Sequence, residues 1–168
     1  MFRSAVALAI VVLAAATASA QFGTARLTLD GLGRVRIGMT EAEAREAVSD
    51  LTIGTDREVD PGCYFLSSPG DRSVLFMIER GRVTRIDIDD PHHWTLSGVH
   101  IGSTEADAQA VYRGRLRVQP HKYDPTGHYL ILKSSDGKSA LVLETDGKRV
   151  TSMRAGAEPA VEYVERCL

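Results

Sequence analysis

The chain has 168 residues, a formal net charge of −2 at pH 7 and 43% hydrophobic residues. A chain of this size buries enough apolar surface on folding to build a hydrophobic core. The near-neutral charge argues against binding through nucleic-acid phosphates, which needs a concentrated basic face. We therefore expect a folded protein that does not bind nucleic acid.

The first twenty residues have the pattern of a cleaved signal peptide. Arg3 precedes an apolar run at residues 5–16, and Ala18, Ser19 and Ala20 form a small-x-small cleavage site. This run is shorter than the ~20 residues that a membrane-spanning helix needs. Cleavage would leave residues 21–168 with a net charge of −3 and no later stretch apolar enough to span a membrane. No cysteine follows the run to carry a lipid anchor, so we expect a soluble protein that is periplasmic or secreted.

The two cysteines, Cys63 and Cys167, both belong to the expected mature protein. An exported chain meets an oxidising compartment, so the expected state is one disulfide between them. Two free thiols are the alternative. A redox role is not expected, because the chain has no C-x-x-C pair.

One sequence pattern occurs twice, first at residues 33–50 and again from Gly98 to Tyr112. It predicts a short strand, a glycine and a helix capped by a threonine, Thr40 in the first copy and Thr104 in the second. Glu43 completes a capping box with Thr40, whereas Asp107 is a weaker partner for Thr104. Seven positions are identical, namely Val35, Ile37, Gly38, Thr40, Glu41, Ala42 and Ala44, matched by Val99, Ile101, Gly102, Thr104, Glu105, Ala106 and Ala108.

Strand patterns follow each predicted helix. In the first half they fall at residues 57–59, 63–67, 73–79 and 82–89, and in the second at 129–133, 139–144 and 149–154. The consecutive apolar residues at 73–79 indicate a strand covered on both faces. In the last strand of the first half, Ile86 and Ile88 are expected to point inward and Asp87 and Asp89 outward. Val83 is out of phase with this alternation, which indicates either a bulge or a position covered on both faces.

The order of these elements predicts an α+β fold. We expect two tandem helix-plus-antiparallel-meander repeats, at residues 21–96 and 97–168, that form a two-layer sandwich of sheet and helices. Residues 27–29 are expected to form an edge strand, and residues 159–168 a short C-terminal helix. The alignment of the two halves places Cys63 opposite His128, so the disulfide is expected in one repeat only.

The repeated motif resembles a known group of exported proteins. Its residues 35–41, V-R-I-G-M-T-E, and 99–105, V-H-I-G-S-T-E, are similar to the tandem-repeat fold of the secreted β-lactamase inhibitor proteins. They are also similar to the small outer-membrane assembly lipoproteins, which use a single helix-plus-sheet unit and carry an anchoring cysteine that this chain lacks. The resemblance implies helices on one face of an antiparallel sheet, with the other face available to a partner protein.

The densest polar cluster is the linker D-I-D-D-P-H-H at residues 87–93. Carboxylate and imidazole groups are zinc ligands, so Asp89, His92 and His93 are the candidates for a metal site. Adjacent histidines on an extended chain point in opposite directions, which favours a hydrated linker between the halves instead. We expect no cofactor.

The sequence shows no catalytic motif. There is no G-x-S-x-G, its serine, histidine and aspartate residues have no informative spacing, and Gly31 and Gly33 belong to a turn rather than to a phosphate-binding loop. The candidate binding residues are Trp94, His92, His93, Tyr64 and Tyr129. Trp94 in the linker is expected to fill the seam between the repeats or to anchor a partner.

These observations favour an exported, non-enzymatic binding protein. Its expected partner is an envelope or secreted protein, contacted through the helix-free face of the sheet, and inhibition of an enzyme is one form that this binding takes. The alternatives are a periplasmic protein that binds a metal or small ligand, and a hydrolase whose site residues are dispersed in the sequence.

Overall fold

The protein is described here from a computed structural model, which describes residues 22–54, 58 and 60–167. The expected signal peptide lies outside the described residues, as does most of the strand expected at residues 57–59. The described residues form two helices, α1 (Glu41–Ala47) and α2 (Glu105–Tyr112). Their strands are β1 (Arg26–Thr28), β2 (Gly31–Leu32), β3 (Val35–Arg36), β4 (Thr52–Ile53), β5 (Cys63–Ser68), β6 (Asp71–Glu79), β7 (Arg82–Ile88), β8 (Trp94–Thr95), β9 (Arg117–Pro120), β10 (His128–Lys133), β11 (Ser139–Thr145) and β12 (Val150–Ala157).

The main sheet has eight antiparallel strands in the order β4-β5-β6-β7-β12-β11-β10-β9. The two meanders meet at its centre, where β7 pairs with β12 and Ile86 lies opposite Ala155. A second sheet has the order β3-β2-β1-β8. Strand β1 is internal to this small sheet, so the edge position expected for residues 27–29 is wrong. The expected α+β fold dominated by antiparallel sheet is confirmed.

The main core lies between one face of the large sheet and the two helices with the small sheet. Ala44 and Val48 bring α1 into this core, and Ala108 and Tyr112 bring in α2. From the sheet come the alternating side chains of β5, β6, β7 and β10–β12, among them Leu66, Phe76, Ile78, Ile86, Leu130 and Leu143, all fully buried. We call the opposite side of the sheet the helix-free face. Within the described part of the chain, no helix has the length and apolar character to cross a membrane.

Both helix caps form as expected. The Thr40 hydroxyl accepts a hydrogen bond from the Glu43 amide at 3.2 Å, and the Glu43 carboxylate accepts one from the Thr40 amide at 2.7 Å, which completes the capping box. Hydrogen bonds from Thr40 also hold the pKa of Glu43 below its ordinary value. Thr104 accepts from the Asp107 amide at 3.0 Å, without the reciprocal bond.

The contacts around the first helix recur around the second. The Gly38 amide donates to the Val83 carbonyl oxygen at 2.8 Å, and the Arg82 guanidinium donates to the Gly38 carbonyl oxygen at 2.8 Å. In the second half the same two contacts join Gly102, Val150 and Arg149. The expected bulge at Val83 is confirmed, because the pairing of β6 with β7 shifts between Met77 and Ile78.

The alignment of Cys63 with His128 is wrong by one residue. The Tyr64 hydroxyl donates to the Glu41 carboxylate at the start of α1, and His128 Nδ1 contacts Glu105 at the start of α2 at 3.0 Å. The residue that corresponds to His128 is therefore Tyr64. Because successive side chains of a strand point to opposite faces, this one-residue difference reverses which face each aligned side chain occupies.

The expected C-terminal helix is reduced to a single 3-10 turn, Ala160–Glu162. Residues 158–167, which we call the tail, lie across the helix-free face. Side chains of the sheet donate hydrogen bonds to main-chain carbonyl oxygens of the tail. In a helix, these carbonyl oxygens would instead accept hydrogen bonds from main-chain amides of the tail itself. The expected disulfide is confirmed: Cys63 at the start of β5 is bonded to Cys167, with their Cα atoms 5.4 Å apart.

Candidate functional site

The helix-free face carries a cluster of four charged side chains beneath the tail, three of them buried. Arg85 and Asp87 alternate along β7 and so point to the same face. Arg154 of β12 lies opposite Asp87 in the ladder, and Glu144 of β11 lies on its other side. Arg85, Asp87 and Arg154 are each at most 5% exposed. Buried charges destabilise a fold unless they are paired, so each of these side chains is expected to have a partner in the sheet or the tail.

Arg85 joins the sheet to the tail. Its Nε atom donates to Asp87 Oδ2 at 2.9 Å. Its Nη1 atom donates to two tail carbonyl oxygens, those of Ala160 at 3.2 Å and Tyr163 at 2.9 Å. Gly156 lies opposite Arg85 in the ladder, and a Cβ atom there would be 2.9 Å from the Arg85 Cα and would collide with the Thr84 carbonyl oxygen. The glycine thus permits the close approach of β7 and β12 beside the guanidinium.

Arg154 makes the second connection. Its Nε atom donates to the Val161 carbonyl oxygen at 2.7 Å, and its Nη1 atom donates to the Glu144 carboxylate. Burial acts to raise the pKa of Glu144, but the positive charge of Arg154 and its hydrogen bond outweigh this and hold the pKa below its ordinary value. Two arginines thus direct three hydrogen bonds at the main chain of the tail.

A histidine and a tyrosine border the charged cluster. His121 stacks on the Tyr129 ring at 4.5 Å between centroids, and the Arg154 guanidinium lies 5.7 Å from the same ring. His121 Nδ1 accepts from the backbone amides of Tyr123 and Asp124, so its proton is on Nε2, which lies 3.6 Å from Glu144 Oε2. The His121 ring therefore lies beside Glu144, to which the Arg154 guanidinium already donates a hydrogen bond.

Two small side chains of the tail are buried against the sheet. Val161 is fully buried among Tyr129, Ile131, Ala140 and Val142. Ala160 is buried against Phe65 and Met77. The helix-free face therefore offers two apolar pockets beside its arginines, each filled by one side chain of the tail.

Ion pairs hold the borders of the tail. Lys133 Nζ lies 2.8 Å from Glu158 Oε1 and 2.9 Å from Glu162 Oε1, and Arg117 reaches Glu162 at 2.7 Å. Hydrogen bonds to Glu158 and Glu162 raise the pKa of Lys133 above its ordinary value. Beyond these, Lys122 pairs with Glu165, and Arg166 pairs with Asp89. The outward position expected for Asp87 is wrong because the tail covers it, whereas Asp89 is exposed as expected.

A cavity of about 600 Å³ opens beside the disulfide at the end of the tail. It is lined by Cys63 and Cys167 and by charged side chains of two turns and the tail, including Arg80, Lys122 and Glu165. The disulfide therefore borders an open space.

The five residues selected from the sequence as binding candidates do not come together. Tyr64 is buried on the helix side, where its hydroxyl contacts Glu41, whereas Tyr129 is buried on the helix-free face. Trp94 is at the edge of the small sheet, 37% exposed, with its ring 4.2 Å from that of His100 and the Arg26 guanidinium 5.2 Å away. Trp94 therefore lies between one residue of each expected repeat, Arg26 and His100, and is only partly buried there.

The three candidate metal ligands are used in separate contacts. His92 is exposed and contacts Asp90 at 2.6 Å, and His93 is buried with its Nε2 atom 2.7 Å from Asp71 Oδ2. Asp89 pairs with Arg166. Among the residues that the structure describes, no three His, Cys, Asp or Glu side chains form a group that could hold a metal ion.

One carboxylate–histidine pair lies outside this face. Glu105 Oε2 accepts from the Thr145 hydroxyl at 2.5 Å and contacts His128 Nδ1 at 3.0 Å. Burial acts to raise the pKa of Glu105, but the bonds to Thr145 and His128 outweigh it and the pKa is lowered. The matching contact of Tyr64 with Glu41 in the first half indicates that this pair stabilises the start of the helix.

Arg85, Arg154 and Glu144 were not identified from the sequence, and residues 159–168 were expected to form a helix rather than to cover the helix-free face. A signal was available in the strands on both sides of the centre. Phe65-Leu66 in β5 and Leu130-Ile131 in β10 are consecutive apolar residues, which require cover on both faces of the sheet. The helices cover one face, and the C-terminal apolar residues are available for the other.

No protein-family model matches the sequence, and no curated protein matches it. Among solved structures, the chain is similar to the uncharacterised protein YfeY of Escherichia coli, with a TM-score of 0.50 and 14% identity over 78% of this chain and 99% of that one. It is also similar to an extracellular protein containing an SCP domain from Bacillus anthracis (TM-score 0.47, 11% identity) and a cysteine-rich secretory protein from Staphylococcus aureus (TM-score 0.43, 12% identity). Each of these two matches covers 73% of this chain and 44% of the other. At such identities the likeness to YfeY concerns the fold alone.

Proposed function

We propose that this protein is an exported binding protein without catalytic activity, which recognises an envelope or secreted protein through the helix-free face of its sheet. The observation that carries the proposal is the use of Arg85 and Arg154, which direct three hydrogen bonds at main-chain carbonyl oxygens of a bound segment. Every peptide presents such oxygens. A face built in this way is suited to holding a polypeptide.

The energetics of these bonds support binding at this face. Hydrogen bonds from a charged group contribute about 1.5–3 kcal/mol each, more than bonds between neutral groups. The apolar pockets around Val161 and Ala160 add selectivity for small side chains. Anchoring side chains in pockets next to main-chain contacts is a common mode of peptide recognition.

We attribute the width of this face to duplication of one helix-plus-meander unit. The caps, the glycine–carbonyl contacts and the bulges that recur in the two halves support this origin. Two half-sheets joined at β7 and β12 offer a partner a wider surface than one unit does. The resemblance to the β-lactamase inhibitor proteins is part of the same proposal, since it implies that a sheet face contacts the partner.

The proposed location is the periplasm or the extracellular medium. The disulfide is of the kind that persists in oxidising compartments, and the N-terminal sequence pattern is that of a signal peptide.

Site-specific photo-crosslinking tests which face meets the partner. A photoreactive residue is placed at Tyr123, which is 64% exposed beside Lys122 at the border of the helix-free face, or at Val111, which is 44% exposed on α2. Each protein is expressed with its signal peptide, irradiated in cells and analysed by mass spectrometry.

We expect a discrete crosslinked envelope or secreted protein from position 123 and none from position 111. The same yield from both positions, or a discrete product from position 111 alone, would contradict the proposed surface.

A further inference from the structure

We propose that the tail is a ligand bound in cis, and that the surface beneath it binds an acidic peptide in trans when the Cys63–Cys167 disulfide is opened. The peptide class is one with small apolar side chains between glutamates. This inference rests on the proposed function, because it names the ligand and the control of the same face.

The charges of the sheet and the tail are complementary. Three cationic side chains of the sheet and its adjoining turn, Arg117, Lys122 and Lys133, meet three glutamates of the tail, Glu158, Glu162 and Glu165. The described part of the tail has four acidic or basic side chains, of which only Arg166 is basic. Exposed pairs of this kind contribute little affinity, but they favour acidic peptides over basic ones.

The main-chain contacts are independent of the tail's own sequence. Arg85 and Arg154 bind carbonyl oxygens, and a different peptide in the same path presents equivalent oxygens. Without a bound segment, these guanidinium groups would face solvent and keep Asp87 and Glu144 as partners. The surface therefore remains electrostatically balanced when the tail leaves it.

The tail's side chains define the selectivity of the surface. Val161 and Ala160 enter separate apolar pockets, whereas Tyr163 is 38% exposed. A bound peptide therefore needs small side chains at the positions of Ala160 and Val161, whereas side chains of different sizes fit at the position of Tyr163.

The disulfide fixes the tail at its far end. Chain connectivity at Ala157 and the bond at Cys167 keep the tail at a high effective concentration, so a free peptide competes poorly. Opening the bond needs a dithiol reductant. One of its thiolates attacks the Cys167 sulfur and releases Cys63 as a thiolate that takes up a proton. The second thiol of the reductant then resolves the mixed disulfide, which leaves two cysteine thiols and an oxidised reductant.

The cavity beside the disulfide gives this reaction a route. Both cysteines line the space of about 600 Å³, and neither is fully buried. A reductant therefore reaches the bond without prior unfolding of the sheet.

The test is a titration with a labelled peptide. The probe is a fluorescein-labelled peptide of residues 158–167 with serine in place of Cys167, and binding is followed by fluorescence anisotropy. The proteins are the oxidised wild type, the wild type reduced with dithiothreitol, Cys63→Ser/Cys167→Ser, and the same double variant with Val161→Asp, which weakens the tail but leaves the surface intact.

We expect the apparent affinity to be lowest for the oxidised protein, higher and equal for the reduced wild type and the double variant, and highest for the triple variant, which should bind at least ~100-fold more tightly than the oxidised protein. Lys133→Glu in the triple variant should weaken binding at least tenfold, whereas Lys148→Glu, the same charge change at an exposed turn position, should leave it unchanged. Circular dichroism verifies folding, and if the triple variant is unfolded, the double variant takes its place in the comparison.

Equal affinity of all four proteins, no binding to any folded protein, or equal effects of the two lysine changes would overturn the inference. The photo-crosslinking experiment separates this outcome from the proposed function. If a partner crosslinks at position 123 but the peptide does not bind, the face is correct and the ligand class is wrong.

Discussion

Replacing Arg85 separates the contribution of the buried charge pair from that of the tail. The Arg85 side chain is 1% exposed and that of Asp87 is 8% exposed. Arg85→Met leaves Asp87 buried without its 2.9 Å partner and removes the donor from two tail carbonyl oxygens. Breaking a buried ion pair from one side costs about 3–5 kcal/mol. We expect the lower part of this range, because Arg166 also contributes positive charge near Asp87.

The double variant Arg85→Met/Asp87→Leu removes both charges. Replacing a buried pair with apolar residues of similar volume is often neutral or stabilising, so the unpaired-charge cost should disappear. The carbonyl oxygens of Ala160 and Tyr163 still lose their donor, for which we expect about 1–3 kcal/mol. The assay is equilibrium unfolding in urea with the disulfide intact.

We expect the single variant to be less stable than the double variant. A single variant that loses less than about 1 kcal/mol, or a double variant that is less stable than the single one, would refute the burial and pairing described for Arg85.

Three further predictions concern the same face. Val161→Ala should destabilise the docked tail by about 1.5–3 kcal/mol, measured by hydrogen exchange of tail amides. The control Val118→Ala, at a site that is 46% exposed, should change the stability of the docked tail by less than about 0.5 kcal/mol. Gly156→Ala should cost about 1–3 kcal/mol or more in urea unfolding because its Cβ has no space, whereas Gly23→Ala, with nothing within 4 Å, should be neutral; equal effects would contradict the close strand approach. The pKa of Glu144 is lower in the folded protein than in the unfolded chain. Ionised Glu144 therefore contributes fully to stability above its ordinary pKa of 4.5, and this contribution is lost as the pH falls through the pKa of the folded state. Protection factors of the tail amides, which correct for the intrinsic pH dependence of exchange, should therefore fall below that pH, and protection factors that do not change with pH would contradict the assigned pair.

Local features could be predicted from the sequence because neighbouring residues determine them. The capping box of Thr40 and Glu43 depends on four consecutive residues, and the bulge at Val83 on one break in alternation. The disulfide required only that two cysteines share an oxidising compartment.

Consecutive apolar residues in β5 and β10 indicate that the helix-free face is covered, but the contacts beneath the cover could not be predicted, because they depend on which segment lies there. Asp87 alternates with isoleucines and has the pattern of a solvent-facing residue. The tail, about seventy residues later in the sequence, covers Asp87 and supplies the other hydrogen-bond partners of Arg85. The alignment of Cys63 with His128 failed for a related reason. A one-residue error in alignment reverses the face of a strand, and the contacts with Glu41 and Glu105 reveal the correct pairing.

The most direct test of the account is hydrogen exchange of the tail in competition with the peptide probe. The protein is Cys63→Ser/Cys167→Ser, and exchange of residues 160–167 is compared with that of β6 and β11 as the peptide concentration rises. The account predicts that protection of the tail falls while protection of the two strands is retained, because peptide and tail occupy the same surface. Bound peptide with unchanged protection of the tail would contradict it.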